Sequence, residues 1–190
     1  MAVVPLINPS FEDGTLTGWT ADADIAVVSG GTPYGTFQAQ FDGEAGATRI
    51  VQTAKTLVAA GTIVKGSCFY AQGTASSGKN TGRVILEWYD NADLKISESL
   101  GNLISSSGGG WQASNVTATA PVGASKVAIG CLSMRTHGAV SGVDFFTWDL
   151  QEAPTVELTY PQDGVTYLPG DPVPYRVDFS VDTPVATSVT

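Results

Sequence analysis

Flat rings and planar amides at alternating positions are what a protein needs to hold a sugar, because rings stack on pyranose faces and amides bond hydroxyls. Strand parity supplies such side chains in three apolar stretches. In residues 36–41, Phe37, Ala39 and Phe41 point one way, leaving Gln38 and Gln40 on the other side. In residues 83–89, Val84, Leu86 and Trp88 make the apolar face, opposite Glu87 and Tyr89. In residues 67–72, Phe69 and Ala71 are read as inward, with Tyr70 and Gln72 outside. Tyr34, in Gly31-Thr32-Pro33-Tyr34-Gly35, either overhangs such a surface or staples its own turn. Parity fixes in or out but not which sheet, so the same side chains also fit two separate solvated faces. Trp19, Trp88, Trp111 and Trp148 each lie beside a strand pattern and are read as core.

Other chemistries find less support. The single histidine, His137, sits in the polar segment Arg135-Thr136-His137-Gly138 with no Gly-x-Ser-x-Gly motif, so it is read as a surface loop residue rather than a catalytic base. One His and two separated Cys offer no zinc cluster, and no phosphate-binding glycine motif stands between a strand and a helix. Nothing singles out a pair of glycosidase carboxylates. A hard cation fits better: a carboxylate near the chain start, Glu12, and one on the last strand, Asp149, are candidate ligands of a structural calcium that ties the chain ends together. A plain hydrogen-bonding role is the alternative for Glu12. Cys68 and Cys131 lie in apolar runs and are read as free buried thiols, with a disulfide between them as the other possibility.

The elements that must position these residues are strands. Of 190 residues only 14% are charged, 43% are apolar, and 22 Gly and 10 Pro punctuate the chain. No stretch has helical apolar periodicity. Candidate strands run over 4–11, 25–29, 36–41, 49–57, 63–72, 83–89, 94–100, 112–119, 126–135 and 143–150, with Asp90-Asn91-Ala92-Asp93 as a hairpin turn. Strands so spaced predict an all-β fold, a two-sheet β-sandwich or jelly roll. After residue 150 prolines cluster (Pro154, Pro161, Pro169, Pro172, Pro174), which divides the chain into 1–150 and 151–190. The second part is too short to bury a core of its own. Nine basic against 18 acidic residues give a net charge of −9, which argues against nucleic acid and anionic membranes. No run reaches the roughly 18–20 apolar residues of a membrane span, and the start at Met1 has neither the basic nor the apolar part of a signal peptide.

The segment Asn8-Pro9-Ser10-Phe11-Glu12-Asp13-Gly14-Thr15-Leu16-Thr17-Gly18-Trp19 resembles the opening of carbohydrate-binding modules of families four, nine and twenty-two, which are galactose-binding-like jelly rolls. Val58-Ala59-Ala60-Gly61-Thr62 leading into Gly66-Ser67-Cys68-Phe69-Tyr70-Ala71, and Trp111 followed by Thr119-Ala120-Pro121-Val122-Gly123-Ala124, are similar to later portions of the same family. The resemblance covers residues 6–150. It implies a structural calcium held by a glutamate at the place of Glu12 and by paired acids on the last strand, where this chain reads Trp148-Asp149 and lacks one of the pair. The stretch from Pro154 to Asp171 resembles the first strands of bacterial immunoglobulin-like spacers.

Together these readings predict a non-catalytic carbohydrate-binding module on a surface-exposed assembly, a bacteriophage virion tail or head decoration protein that attaches to host glycans. A homo-oligomer and other virion subunits are the expected partners besides polysaccharide. The alternatives are a purely structural virion protein and an accessory module of a secreted glycoside hydrolase.

Overall fold

The computed structural model describes residues 5–42, 46–72, 80–105, 110–135, 140–151, 155–159 and 176–180. The expected strands form, and every pairing among them is antiparallel. One sheet is ordered β1 (Trp19–Ala21), β4 (Gly46–Gln52), β10 (Lys126–Arg135), β7 (Thr81–Tyr89), β8 (Lys95–Leu100), with the short β5 (Thr56–Leu57) also on β10. The other is ordered β2 (Ile25–Ser29), β3 (Phe37–Phe41), β11 (Ser141–Gln151), β6 (Ile63–Gln72), β9 (Gln112–Thr119). The two sheets stack as a sandwich around one core, built from alternate residues such as Ile50, Val64, Val84, Leu86, Trp88, Val127, Ile129 and Phe41. A separate ribbon pairs β12 (Thr155–Thr159) with β13 (Arg176–Ser180). His137, the Pro-rich tail positions and the centre of the 73–82 loop lie outside the described residues.

The predicted strand over 4–11 does not form. Asn8 (φ 49°) and Phe11 (φ 59°) adopt left-handed backbone, which breaks an extended chain. Asn8 instead folds the segment on itself, its Nδ2 donating to Asp13 Oδ1 at 2.6 Å and to the Thr15 carbonyl at 2.9 Å. The strain at Phe11, about 1–3 kcal/mol for such a residue, is offset by complete burial of its ring beside Trp19 (5.4 Å) and Phe146 (6.3 Å). Trp19 then begins a strand that sequence periodicity missed, because three residues are too few to show alternation. Further on, the predicted hairpin closes at Asp90, whose Oδ1 accepts from the backbone of Ala92 and Leu94.

Parity on β6 is opposite to that expected. Val64, Cys68 and Tyr70 face the core, and Tyr70 is fully buried. Its ring occupies the space a side chain at Gly82 would take, where a Cβ would come within 2.1 Å of a ring carbon. The hydroxyl is satisfied by Ser133 Oγ at 2.9 Å, itself 3.2 Å from Ser141 Oγ. A tyrosine therefore goes inside because a glycine on the facing sheet makes room and serines take its polar end. Substituting Gly82→Ala should cost about 1–3 kcal/mol by overpacking, measured as a lower urea midpoint with the transition slope unchanged; an unchanged midpoint would contradict this packing.

Candidate functional site

The outer face of the five-stranded sheet carries a polar and aromatic surface. Gln38 and Gln40 come up from β3, Gly142 and Asp144 from β11, and Phe69 from β6, in register through Gln40↔Gly142 and Asp144↔Phe69. Trp111, immediately before β9, lies beside Gln38 across Gly142: a Cβ on Gly142 would sit 2.0 Å from Gln38 Oε1 and 3.0 Å from Trp111 Cη2. Glycine here leaves the sheet floor open between a ring and an amide.

Above one end of this floor stands the loop between β2 and β3. Tyr34 is 44% exposed, stacks on Phe145 (4.2 Å, 24°) and leans on Phe69 (5.3 Å). Three side chains hold the loop. Gln38 Nε2 donates to the Gly30 carbonyl at 2.8 Å, Trp111 Nε1 donates to the Gly31 carbonyl, and the Glu12 carboxylate accepts from the backbone N–H groups of Thr36 and Phe37 at 3.0 Å. Gly35 must be glycine for two reasons: its φ is +70°, and a Cβ would lie 2.3 Å from the Glu12 carboxyl carbon.

Phe145 reaches this surface through an irregularity. The β11 to β6 register shifts between Asp144 and Thr147, and Phe145 takes a left-handed φ of 46°. Phe145 thus faces the loop while Phe146, its neighbour, is buried against Trp19 at 4.5 Å. Beneath the Tyr34 ring lies Asp144, fully buried. Its Oδ1 accepts from Phe145 N at 2.7 Å, and its Oδ2 has no partner. Burial pushes its carboxyl up to about 7; backbone donors at Phe145 and Tyr34 oppose the shift and the charge of Glu12 adds to it.

Several expected site residues lie elsewhere. Tyr70 is in the core. Gln72 ends β6 paired with Ser141, and its side chain is outside the described residues. Glu87 and Tyr89 stand on the outer face of the six-stranded sheet, on the opposite side of the sandwich from Gln38 and Gln40. Asp149 is exposed on β11, opposite Lys65, and the acid set beside Glu12 is Asp144 instead. Trp111, expected in the core, is half-buried on the outer face; its place right after Gly108-Gly109-Gly110, outside any alternating run, was the available clue. Phe145 was missed because regular alternation cannot show a bulge, although adjacent phenylalanines on a one-sided strand hint at one.

On the six-stranded sheet, Glu87 and Glu98 share Arg49 and Lys95 at 2.6–2.9 Å, and Tyr89 donates to Glu87. The network covers a small apolar cluster of Val51, Ile85, Ala128 and Leu132, so its work is structural. For Glu87, burial raises the pKa, but the bonds from Lys95, Tyr89 and Arg49 outweigh it and hold the group below its ordinary value. Bonds from Arg49 and Lys95 hold Glu98 down to about 2 against an ordinary 4.5. A depressed acid stabilises the fold above its unfolded pKa and loses that stabilisation as pH falls toward its folded one. The melting-temperature advantage of wild type over Glu98→Gln should therefore be full at pH 7 and shrink between pH 4.5 and about 2; an advantage independent of pH would contradict the ion pairing.

No family model and no curated protein matches the sequence. Solved structures match it in fold. A CBM22 xylan-binding domain from Paenibacillus barcinonensis superposes with a TM-score of 0.56 at 19% identity, covering 76% of this chain and 92% of that one. The TmCBM61 module, solved with β-1,4-galactotriose, gives 0.51 at 15%, covering 75% and 94%. The enzymatically active domain of bacteriophage CBA120 tailspike protein 4 gives 0.56 at 14%, covering 76% of this chain but only 21% of the tailspike chain. The fold is that of the carbohydrate-binding-module jelly rolls.

Proposed function

We propose that this chain is a non-catalytic carbohydrate-binding module that holds a neutral polysaccharide on the outer face of its five-stranded sheet. The observation that carries the reading is the shared face of Tyr34, Phe69, Phe145, Trp111, Gln38 and Gln40, with a glycine floor at Gly142. Rings offer stacking faces and the amides offer both donors and acceptors for hydroxyls. The charges nearest the Tyr34 end are Glu12 and Asp144, both acids, which disfavours sulfated or uronic-acid chains. The likeness to modules that bind xylan and galactotriose supports the sugar class, and the likeness to a tailspike supports display on a virion surface, where repeated copies turn weak binding into avidity.

The same reading includes a structural calcium between Glu12 and Asp144. The residues fit a hard cation: Asp144 Oδ2 is a buried carboxylate oxygen without a partner, and Glu12 lies close enough to raise the Asp144 pKa. Among the described residues no group of three or more His, Cys, Asp or Glu gathers, so backbone carbonyls or water complete the shell. When bound, calcium would neutralise the two acids and tie the N-terminal segment, the Tyr34 loop and β11 together.

Isothermal titration against neutral xylan and galactan, and against an anionic polysaccharide, tests the reading. Binding to a neutral chain, lost at least about tenfold in a Tyr34→Ala/Trp111→Ala double variant that melts normally, is expected, as each ring contributes on the order of 1 kcal/mol. Chelator should lower the melting temperature of wild type but not of Asp144→Asn. Binding that survives the double variant, or none to any neutral chain at millimolar concentration, would overturn the proposal; the second result would favour a purely structural virion role.

A further inference from the structure

Cys68 and Cys131 belong to different sheets and face one another. Cys68 lies on β6 and Cys131 on β10; both are completely buried, both are in the same core cluster, and both thiols are free. Stacked sheets sit about 10 Å apart, so inward cysteines on opposite sheets reach each other only where the two strands come close. These two do: their thiols hydrogen-bond. Cys68 also adjoins Phe69, the ring on the opposite face of β6 that supports Tyr34.

We propose that Cys68 and Cys131 close an inter-sheet disulfide when the chain folds under oxidising conditions, a covalent tie behind the aromatic face. The oxidant is a low-molecular-weight disulfide such as oxidised glutathione. One cysteine thiolate attacks it, forming a mixed disulfide and releasing one glutathione thiol. The second thiolate then attacks the protein sulfur of that mixed disulfide, forming the Cys68–Cys131 bond and releasing the second glutathione. Two protein thiols are oxidised and one glutathione disulfide is reduced to two thiols. Burial raises the Cys68 thiol well above its ordinary pKa and keeps reagents out, so the folded, reduced protein reacts slowly and the bond forms during folding. The sheets need only a small approach, because the thiols are already neighbours. This inference is independent of sugar binding.

The test is refolding of the full chain in a glutathione redox buffer, followed by thiol counting in denaturant, intact mass and melting with and without a reductant. The expected product has no reactive thiol, is two hydrogens lighter, is monomeric on a non-reducing gel, and melts about 10 °C higher than its reduced form, as expected for a loop of roughly 60 residues. Cys131→Ala should melt at the same temperature in both conditions. Two reactive thiols in natively folded, oxidatively refolded protein, or only glutathione adducts and intermolecular dimers, would overturn the proposal. Thiol count and mass decide on wild type even if Cys131→Ala does not fold.

Discussion

The irregular step in β11 between Asp144 and Thr147 sets which rings the molecule shows and which it hides. With ordinary alternation, two neighbouring phenylalanines would point to opposite faces, but the following residues would fall out of register with the core. The extra residue, taken up by Phe145 in left-handed backbone, lets Phe146 enter the core against Trp19 and Phe11 while Phe145 meets Tyr34 outside. Thr147 returns to the outer face, bonded to Ser67 Oγ at 2.7 Å, and pairing resumes to Gln151. The same step places the Asp144 carboxyl under the Tyr34 ring without a full set of partners.

From that step the site's rigidity follows. A loop rich in glycine carries Tyr34, and glycine loops are costly to order. Here the ordering comes from charge-assisted and amide bonds to backbone groups: Glu12 at Thr36 and Phe37, Gln38 at Gly30, Trp111 at Gly31. Because Gln38 and Trp111 both line the face and hold the loop, the residues that would touch a ligand are also those that preorganise it. The opposite sheet face has a different character. Its acids are already paired with Arg49 and Lys95, so it presents satisfied charge rather than open amides and rings.

Much of the fold was legible in the sequence because period-two alternation and Gly, Asn, Asp punctuation are local. Strands at 25–29, 63–72, 112–119 and 126–135 appear where alternation put them. What was not legible depends on the facing sheet. Tyr70 reads as outward from its neighbours alone; only the vacancy at Gly82 and the hydroxyls of Ser133 and Ser141 turn it inward. Gln38 and Gln40 were placed on a common outer face, but Glu87 and Tyr89, with the same parity, fall on the other sheet because parity carries no sheet label. Asp149 was chosen as a cation ligand on its place in the last strand, and the bulge makes Asp144 the acid beside Glu12.

The central claim, that the outer face of the five-stranded sheet receives a neutral glycan, is tested most directly by following the four tryptophan indole N–H resonances during titration with a β-1,4-linked oligosaccharide. Trp111 should shift progressively while the core indoles of Trp19 and Trp88 stay in place. Saturable binding that leaves Trp111 unmoved would contradict the account and send the search for the site to another face.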